Sequence, residues 1–324
     1  MSVCVIVVNY ETADLSVSAV RQVLFSPHVK SCVCVDNGSV DPGNRSTLER
    51  LAVDARVKLI WNTHNVGFGR AVNRALAQVD FDPEVTMVLL LNPDACLSSD
   101  SLNLLIEYLN ANPRCGAVAP RIETSGVRVQ SAGFLPNIRR VLMQNFQLSR
   151  LYPFIPAAKG VNLRMVDARP TCPVEWVSGA CMLIRKSALN DVGGLSERWF
   201  LYAEDQELCE RLTRNGYAIM LLNAVGARHV LSAAASRYAT TSTLWIDAQR
   251  DYYRQRVRYA WNHTAFDWCL AIGFVMRAAV LLVMDLTRRG PDRRHERKRQ
   301  MRFAGACLRP IDPGVLNRNR ATGD

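Results

Sequence analysis

The ten cysteines form no Cys-x-x-Cys pair and no zinc-like Cys/His spacing, which argues against a structural zinc module or a thioredoxin-type redox site. Cys4, Cys32 and Cys34 fall inside apolar, strand-like runs and read as small reduced core residues. A basic face is also missing. Forty Lys and Arg stand against 29 Asp and Glu, but eleven basic and four acidic residues lie in 288–324, leaving the body at only +4. That distribution argues against a nucleic-acid-binding fold and describes a near-neutral globule with a basic tail. No basic and apolar preamble precedes Val3-Cys-Val-Ile-Val-Val8, so a signal peptide is not expected and a cytoplasmic location is. With 49% apolar and 21% charged residues, 324 residues suffice for one large domain or two small ones.

What is present alternates in type. Short β-branched runs at 3–8, 31–35, 57–61 and 85–91 are separated by helical-period stretches at 13–24, 44–53, 68–79 and 101–110. Nearly continuous apolar strands separated by helices predict an α/β fold with a mostly parallel sheet covered on both faces. Ligands of such sheets bind beyond the carboxyl ends of the strands. Polar clusters stand there: Asp36-Asn-Gly-Ser-Val-Asp41, Asn65-Val-Gly-Phe-Gly-Arg-Ala-Val-Asn73 and Leu91-Asn-Pro-Asp-Ala95. Asp, Asn and Gly also end strands for purely conformational reasons, so each cluster alone says little. Together they supply a carboxylate to read a base, glycines that admit a ligand and an acid to present a divalent cation. The Gly67-Phe-Gly69 segment is no dinucleotide fingerprint, because its third glycine is missing and it follows the third strand.

Over about residues 1–240 the sequence resembles the family 2 glycosyltransferases of GT-A fold, especially their rhamnosyltransferase-like branch. The resemblance rests on Val8-Asn-Tyr10, Asp36-Asn-Gly-Ser-x-Asp41, Asn65-x-Gly-Phe-Gly-x-Ala-x-Asn73, Asn92-Pro-Asp94, Trp176-Val-Ser-Gly-Ala-Cys181, Gly193-Gly-Leu195 and Phe200-Leu-Tyr-Ala-Glu-Asp205. It implies a GT-A domain over 1–240, with a nucleotide-sugar half at 1–120 and an acceptor half at 121–240. A helical extension at 241–287 and the basic tail at 288–324 would follow.

The resemblance also implies roles. Asp36 would accept a hydrogen bond from a pyrimidine, and Asp94 would bind Mg2+ or Mn2+. Asn9, Glu11, Asn65, Gly67, Gly69, Arg70 and Asn92 would line the nucleoside-diphosphate-sugar donor. Asn92 replaces the first carboxylate of the usual Asp-x-Asp, so it brings no charge to the cation. Trp176, Ser178 and Gly179 would line the sugar and acceptor pocket, though Trp176 also suits the core. His229 would complete the metal shell or contact the diphosphate, or serve as a hydrogen-bonded structural histidine.

Glu204-Asp205 opens an amphipathic helical segment that carries an i,i+4 pair, Glu207 and Arg211, and stops at Asn215-Gly216. Acids gather in first turns whether or not they do chemistry. In the resembling enzymes the second acid of the pair is the general base, which points to Asp205 with Glu204 beside it. Either would be expected to stay ionised there. The implied reaction is an inverting single displacement, with dTDP-L-rhamnose as donor and UDP-sugars compatible. The implied acceptor is a lipid-linked or glycolipid sugar of a bacterial envelope. A non-catalytic nucleotide-sugar-binding or scaffold protein is the competing reading.

Residues 265–286 are strongly apolar but include Asp267, Arg277 and Asp285, which fall within one half of a helical wheel. A spanning helix would hold an Arg near its centre at about 3 kcal/mol. An in-plane helix can place that half among headgroups, and Arg288, Arg289, Arg293, Arg294, Arg297, Lys298, Arg299 and Arg302 would add about 1 kcal/mol each near anionic lipid. Peripheral attachment to the cytoplasmic leaflet is therefore expected, against the alternative of a core helix with a solvated tail.

Overall fold

The structure, a computed structural model, describes residues 2–79, 82–124, 127–152, 154–163, 169–229, 242–287 and 293–316. Strands β1 (Ser2–Asn9), β2 (Val29–Asp36), β3 (Val57–Trp61) and β4 (Val85–Leu91) alternate with α1 (Ala13–Val23), α2 (Pro42–Glu49) and α3 (Phe68–Val79). Then come β5 (Ala95–Cys96), α4 (Ser99–Ala111), β6 (Cys115–Thr124), β7 (Val127–Arg128), β8 (Ala132–Gly133) and α5 (Ile138–Asn145). Next are β9 (Thr171–Val174), β10 (Trp176–Val177), β11 (Cys181–Arg185), α6 (Lys186–Asp191), α7 (Glu204–Arg214) and β12 (Ala218–His229). Helices α8 (Leu244–Arg256), α9 (Ala260–Thr287) and α10 (Arg294–Leu308) follow.

The main sheet runs β3-β2-β1-β4-β11-β6-β12-β5. Its first four strands are parallel, and β11 enters antiparallel between β4 and β6. Strand periodicity explains why β1 reads as an unbroken apolar run. Val3, Val5 and Val7 join the core under α1 and α4, while Cys4 and Ile6 join the opposite core under α3.

One expected boundary shifts for an identifiable reason. The second helix, expected over 44–53, spans 42–49, because Asp41 caps it through Gly43 N at 2.8 Å and Pro42 occupies its first turn. The apolar stretch 176–185 is divided between two sheets. Trp176–Val177 pairs with β8 and Cys181–Arg185 with β4 and β6, so the chain changes sheets at Ser178-Gly179-Ala180. Residues 134–169 carry no sustained period, yet α5 forms there, capped by Asn137, whose Oδ1 accepts from Arg140 N at 2.9 Å. Helix α5 ends against α9 where Gly273 leaves room: a Cβ there would lie 2.2 Å from Asn145 Oδ1. Asn145 Nδ2 donates to Cys269 O at 2.7 Å.

The wheel of α9 faces the opposite way from the expectation. Asp267 is buried and receives both Arg250 Nε and Nη2 at 2.8 Å, with Arg254 Nη2 also at 2.8 Å. Asp285 pairs with Arg297 at 2.9 Å and Arg293 at 3.5 Å. The acids of α9 thus turn toward protein cations, and Trp261, Trp268, Ile272, Val275, Val280, Val283 and Leu286 are exposed. Arg288 and Arg289 lie outside the described residues. Arg294–Leu308, within the stretch expected as a basic tail, is a helix whose Phe303 and Cys307 pack with Ile246 and Phe274.

Arg250 is 3% exposed and also donates to Ala306 O at 2.9 Å, so one guanidinium joins α8, α9 and α10. Asp267→Ala would leave Arg250 with only the Asp247 carboxylate, at 3.2 Å, and should cost about 3 kcal/mol in denaturant unfolding. A loss under 1 kcal/mol would show that Arg250 is not dependent on Asp267.

Candidate active site

The carboxyl ends of β1 and β2 are held by one amide. Buried Asn9 donates Nδ2 to Asp36 Oδ1 at 2.7 Å, while its Oδ1 accepts from Ser16 Oγ at 2.8 Å. Asp36 Oδ1 also accepts from Ser39 Oγ at 2.6 Å, and its Oδ2 accepts from Ser39 N at 3.2 Å. Carboxylate oxygens have further lone pairs, so Oδ2 retains acceptor capacity. Glu11 sits in the left-handed region (φ 55°) and closes the next turn, accepting from Val40 N at 2.5 Å and Asn44 Nδ2 at 2.7 Å. Asn65 Oδ1 accepts from Gly67 N at 3.0 Å and Asn37 Nδ2 at 2.9 Å, fixing the loop before α3. Gly69 permits a close backbone approach, since a Cβ would lie 2.4 Å from Ser196 O. Arg70 points to Glu197 at 3.4 Å and does not line the cavity described below.

After β4, Asn92 N donates to Ala180 O at 2.9 Å. Pairing of β12 with β5 sets His229 beside Ala95, and His229 Nε2 comes 3.1 Å from Asp94 Oδ1. Two ligand atoms at right angles on an octahedral cation with bonds of about 2.1 Å are about 3 Å apart, so this pair fits neighbouring positions on Mg2+ or Mn2+. Among the described residues no group of three His, Cys, Asp or Glu side chains gathers closely enough to hold a metal alone.

Asn92, Trp176, Ser178, Gly179, Glu204 and Asp205 line one cavity of about 940 Å³. Its acidic wall is the start of α7. Tyr202 and Ala203 precede it with φ of 71° and 70°, a left-handed pair that costs of order 1–3 kcal/mol per residue. The turn persists because its surroundings hold it. Phe200 O accepts from Phe68 N at 3.0 Å, Phe200 N donates to Val315 O at 2.8 Å, and Trp199 bridges to Leu316. Asp251 of α8 receives Arg198 Nε at 2.6 Å and Trp199 Nε1 at 3.0 Å.

The two acids differ in setting. Asp205 faces the cavity and accepts from Gln206 N at 2.7 Å and Gly179 N at 3.3 Å. Glu204 is buried, and its Oε2 has no hydrogen-bond partner. Burial, then the neighbouring Asp205 charge, holds the Glu204 carboxyl well above the usual carboxylate range. Burial also raises Asp205, with the two N–H donors opposing. The expectation that first-turn acids stay ionised is corrected for Glu204, because desolvation outweighs the helix dipole.

The family model described as Glycosyl transferase family 2 matches residues 2–193. The chain belongs to glycosyl transferase family 2. Residues 159–287 of this transferase also match the Glycosyl transferase family 21 model. A relative from Mycobacterium tuberculosis, N-acetylglucosaminyl-diphospho-decaprenol L-rhamnosyltransferase, is 28% identical over 85% of this chain and 89% of its own. Rhamnosyltransferase WbbL of Escherichia coli is 28% identical over 50% of this chain and 60% of its own. Among solved structures, mannosyltransferase PcManGT from Pyrobaculum calidifontis, in complex with GDP-Man and Mn2+, superposes with a TM-score of 0.60 at 17% identity over 94% and 84% of the two chains. The glycosyltransferase fold is GT-A.

Sequence reasoning missed several residues lining the cavity of the transferase: Gln206, Trp245, Gln249, Arg277, Arg299 and Gln300. Gln206 lay next to the acidic pair, whereas nothing local marks Trp245 or Gln249 as site residues.

Because Glu204 binds its proton more tightly folded than unfolded, its ionisation should lower stability as pH rises from about 4 through its raised value. Glu204→Gln should match the parent near pH 4 and exceed it by about 1–2 kcal/mol at pH 9 in denaturant titrations. No gain at pH 9 would place the ionised Glu204 in a solvated setting.

Proposed function

We propose that this transferase moves a sugar from a nucleoside diphosphate to a hydroxyl of a lipid-linked acceptor by an inverting single displacement. The best donor candidate is dTDP-L-rhamnose, with a UDP-sugar as the alternative. The observation that carries this reading is convergence. Asn92 and Asp205 line the same cavity, and residues 135 apart in sequence meet in the Asp94–His229 pair. Names of the two relatives support rhamnose, and the first supports a diphosphate-linked prenol acceptor in envelope glycan synthesis.

Asp36 would orient the base, and Asn65 and Gly67 would let the backbone approach the diphosphate, while Gly69 is required by its contact with Ser196 O. Asp205 would hold the acceptor hydroxyl and take its proton, with its two N–H donors opposing the effect of burial on its charge. A divalent cation held by Asp94 and His229 would neutralise charge on the departing diphosphate. Glu204, with a proton retained by burial, would present an O–H to a bound sugar and would not compete as base.

The exposed apolar face of α9 supports peripheral attachment to the cytoplasmic leaflet. By length and composition alone, Ala260–Leu286 also reaches the span of a membrane, but its buried ion pair with α8 and its half-buried pair with α10 favour an in-plane position. Exposed Arg294, Lys298 and Arg302 would face anionic headgroups.

Asp205→Asn should lower transfer on the order of 100-fold or more while nucleotide binding is kept. Asp94→Ala should weaken nucleoside diphosphate binding only when Mn2+ is present, and Asp36→Ala with or without it. Titrations of both variants, with transfer measured across donors, test the assignment. Retained nucleotide binding with no transfer from any donor would favour the non-catalytic reading. For the membrane, Val275→Asp combined with Val283→Asp should abolish co-sedimentation with anionic vesicles at low salt. Truncation before Ala265 is the wrong test, because it removes Val315 and its hold on Phe200. Unchanged sedimentation of the double variant would end the membrane assignment.

A further inference from the structure

The cavity that holds Asp205 extends far beyond it. One stripe of α9 (Phe266, Leu270, Phe274 and Arg277) lines it, covering about 16 Å of helix at 1.5 Å per residue. Arg299, Gln300 and Phe303 of α10 complete the wall. The cavity is within the size that encloses a drug-sized ligand.

Three kinds of chemistry share this one space. Near the acidic pair, buried hydrogen-bonding atoms lack partners: Trp176 Nε1 as a donor, and Gln206 Oε1 and Glu204 Oε2 as oxygens. Unpartnered buried polar groups are costly, so these suit a hydroxyl-rich ligand. Phe266, Phe274 and Phe303 are largely packed against protein, so the stripe presents half-buried Leu270 and the cavity-facing ring edges as its apolar surface. Between them in chemistry stand two cations. Arg277 lies over the Phe274 ring at 5.1 Å, and its Nη2 donates to the Asn145 amide oxygen at 3.4 Å. No carboxylate lies within 4.0 Å of it among the described residues. Arg299 pairs with Glu296 at 2.8 Å, yet its buried Nε has no partner. Among the described residues the lining carboxylates are Glu204 and Asp205. The α9–α10 part of the cavity is therefore cationic and apolar together.

We propose that Arg277 and Arg299 form the binding site for the diphosphate of a prenyl-diphosphate-linked sugar, whose prenyl chain lies along Phe266, Leu270, Phe274 and Phe303. This deepens the transferase reading and rests on it for the sugar, but the anion site stands on the arginines alone. Guanidinium suits the diphosphate because its N–H groups form paired charge-assisted bonds to phosphate oxygens.

The test uses the full chain and geranyl diphosphate, with geraniol as the uncharged control, titrated calorimetrically in EDTA so that no cation carries the anion to Asp94. The diphosphate should bind more tightly than the alcohol. Arg277→Gln and Arg299→Gln should each weaken it on the order of 10-fold, leaving geraniol unchanged. Arg277→Lys should restore part of the loss. Nucleoside diphosphate affinity with Mn2+, and the melting temperature, should not move in these variants. Equal geranyl diphosphate affinity in the double variant would overturn the site, as would geraniol binding as tightly as the diphosphate. So would a double variant that loses only its binding to phosphatidylglycerol vesicles, since the arginines would then serve a bilayer. If the arginine dependence holds but no prenyl-diphosphate sugar is ever glycosylated, the transfer reading fails and the anion site survives.

Discussion

Asp251 is the constraint on which the site depends. Its two oxygens take the Arg198 guanidinium and the Trp199 indole N–H, and the residue is nearly enclosed. That clasp fixes the loop from which Phe200, Tyr202 and Ala203 lead into the acidic pair. Two consecutive non-glycine residues in the left-handed region would relax if the loop were free. Trp199 also meets Tyr252 edge to face at 6.0 Å, so the same contact is filled by hydrogen bonding and by ring packing. The C-terminal helices are thus part of the catalytic scaffold, not an appendage to it.

The acidic pair follows a similar division between shape and charge. Placing Glu204 and Asp205 at the start of α7 satisfies helix N-terminal electrostatics, yet the burial needed to form the cavity acts against ionisation. Backbone N–H groups oppose burial at both acids, but Glu204 also feels the Asp205 charge and keeps one oxygen without a partner. One turn of helix therefore holds two acids of different character, set by burial and by their mutual charge.

Much of this was legible in the chain. The β-branched runs gave 57–61 and 85–91 as strands and 68–79 as a helix to the residue, because packing on both faces of a parallel sheet leaves a strong local signature. The acidic pair and its helix were equally plain. What local pattern did not reveal was orientation and partnership. Nothing near Asp267 in sequence announces Arg250, and a helical wheel shows that charges share a side without saying whether water, lipid or protein meets them. The break at Ser178-Gly179-Ala180 was likewise hidden, since both flanks are strand and only the sheet each joins differs. The resemblance implied Asp94 and His229 in one metal shell, but only the register of β12 against β5 shows how residues so far apart in sequence come to neighbour each other.

The bridge between Trp199 and Leu316, with Phe200 N on Val315 O, joins points 117 residues apart. On a ribosome adding about 5–20 residues per second, the β-sheet can be assembled on the order of ten seconds before this closure is available. The N-terminal parallel strands can therefore mature first, while the left-handed turn before Glu204 waits for its last brace. Sugar transfer by a partly made chain is disfavoured by this order of events. The loop before the acidic pair is braced only when residues 313–316 have been synthesised and have found it.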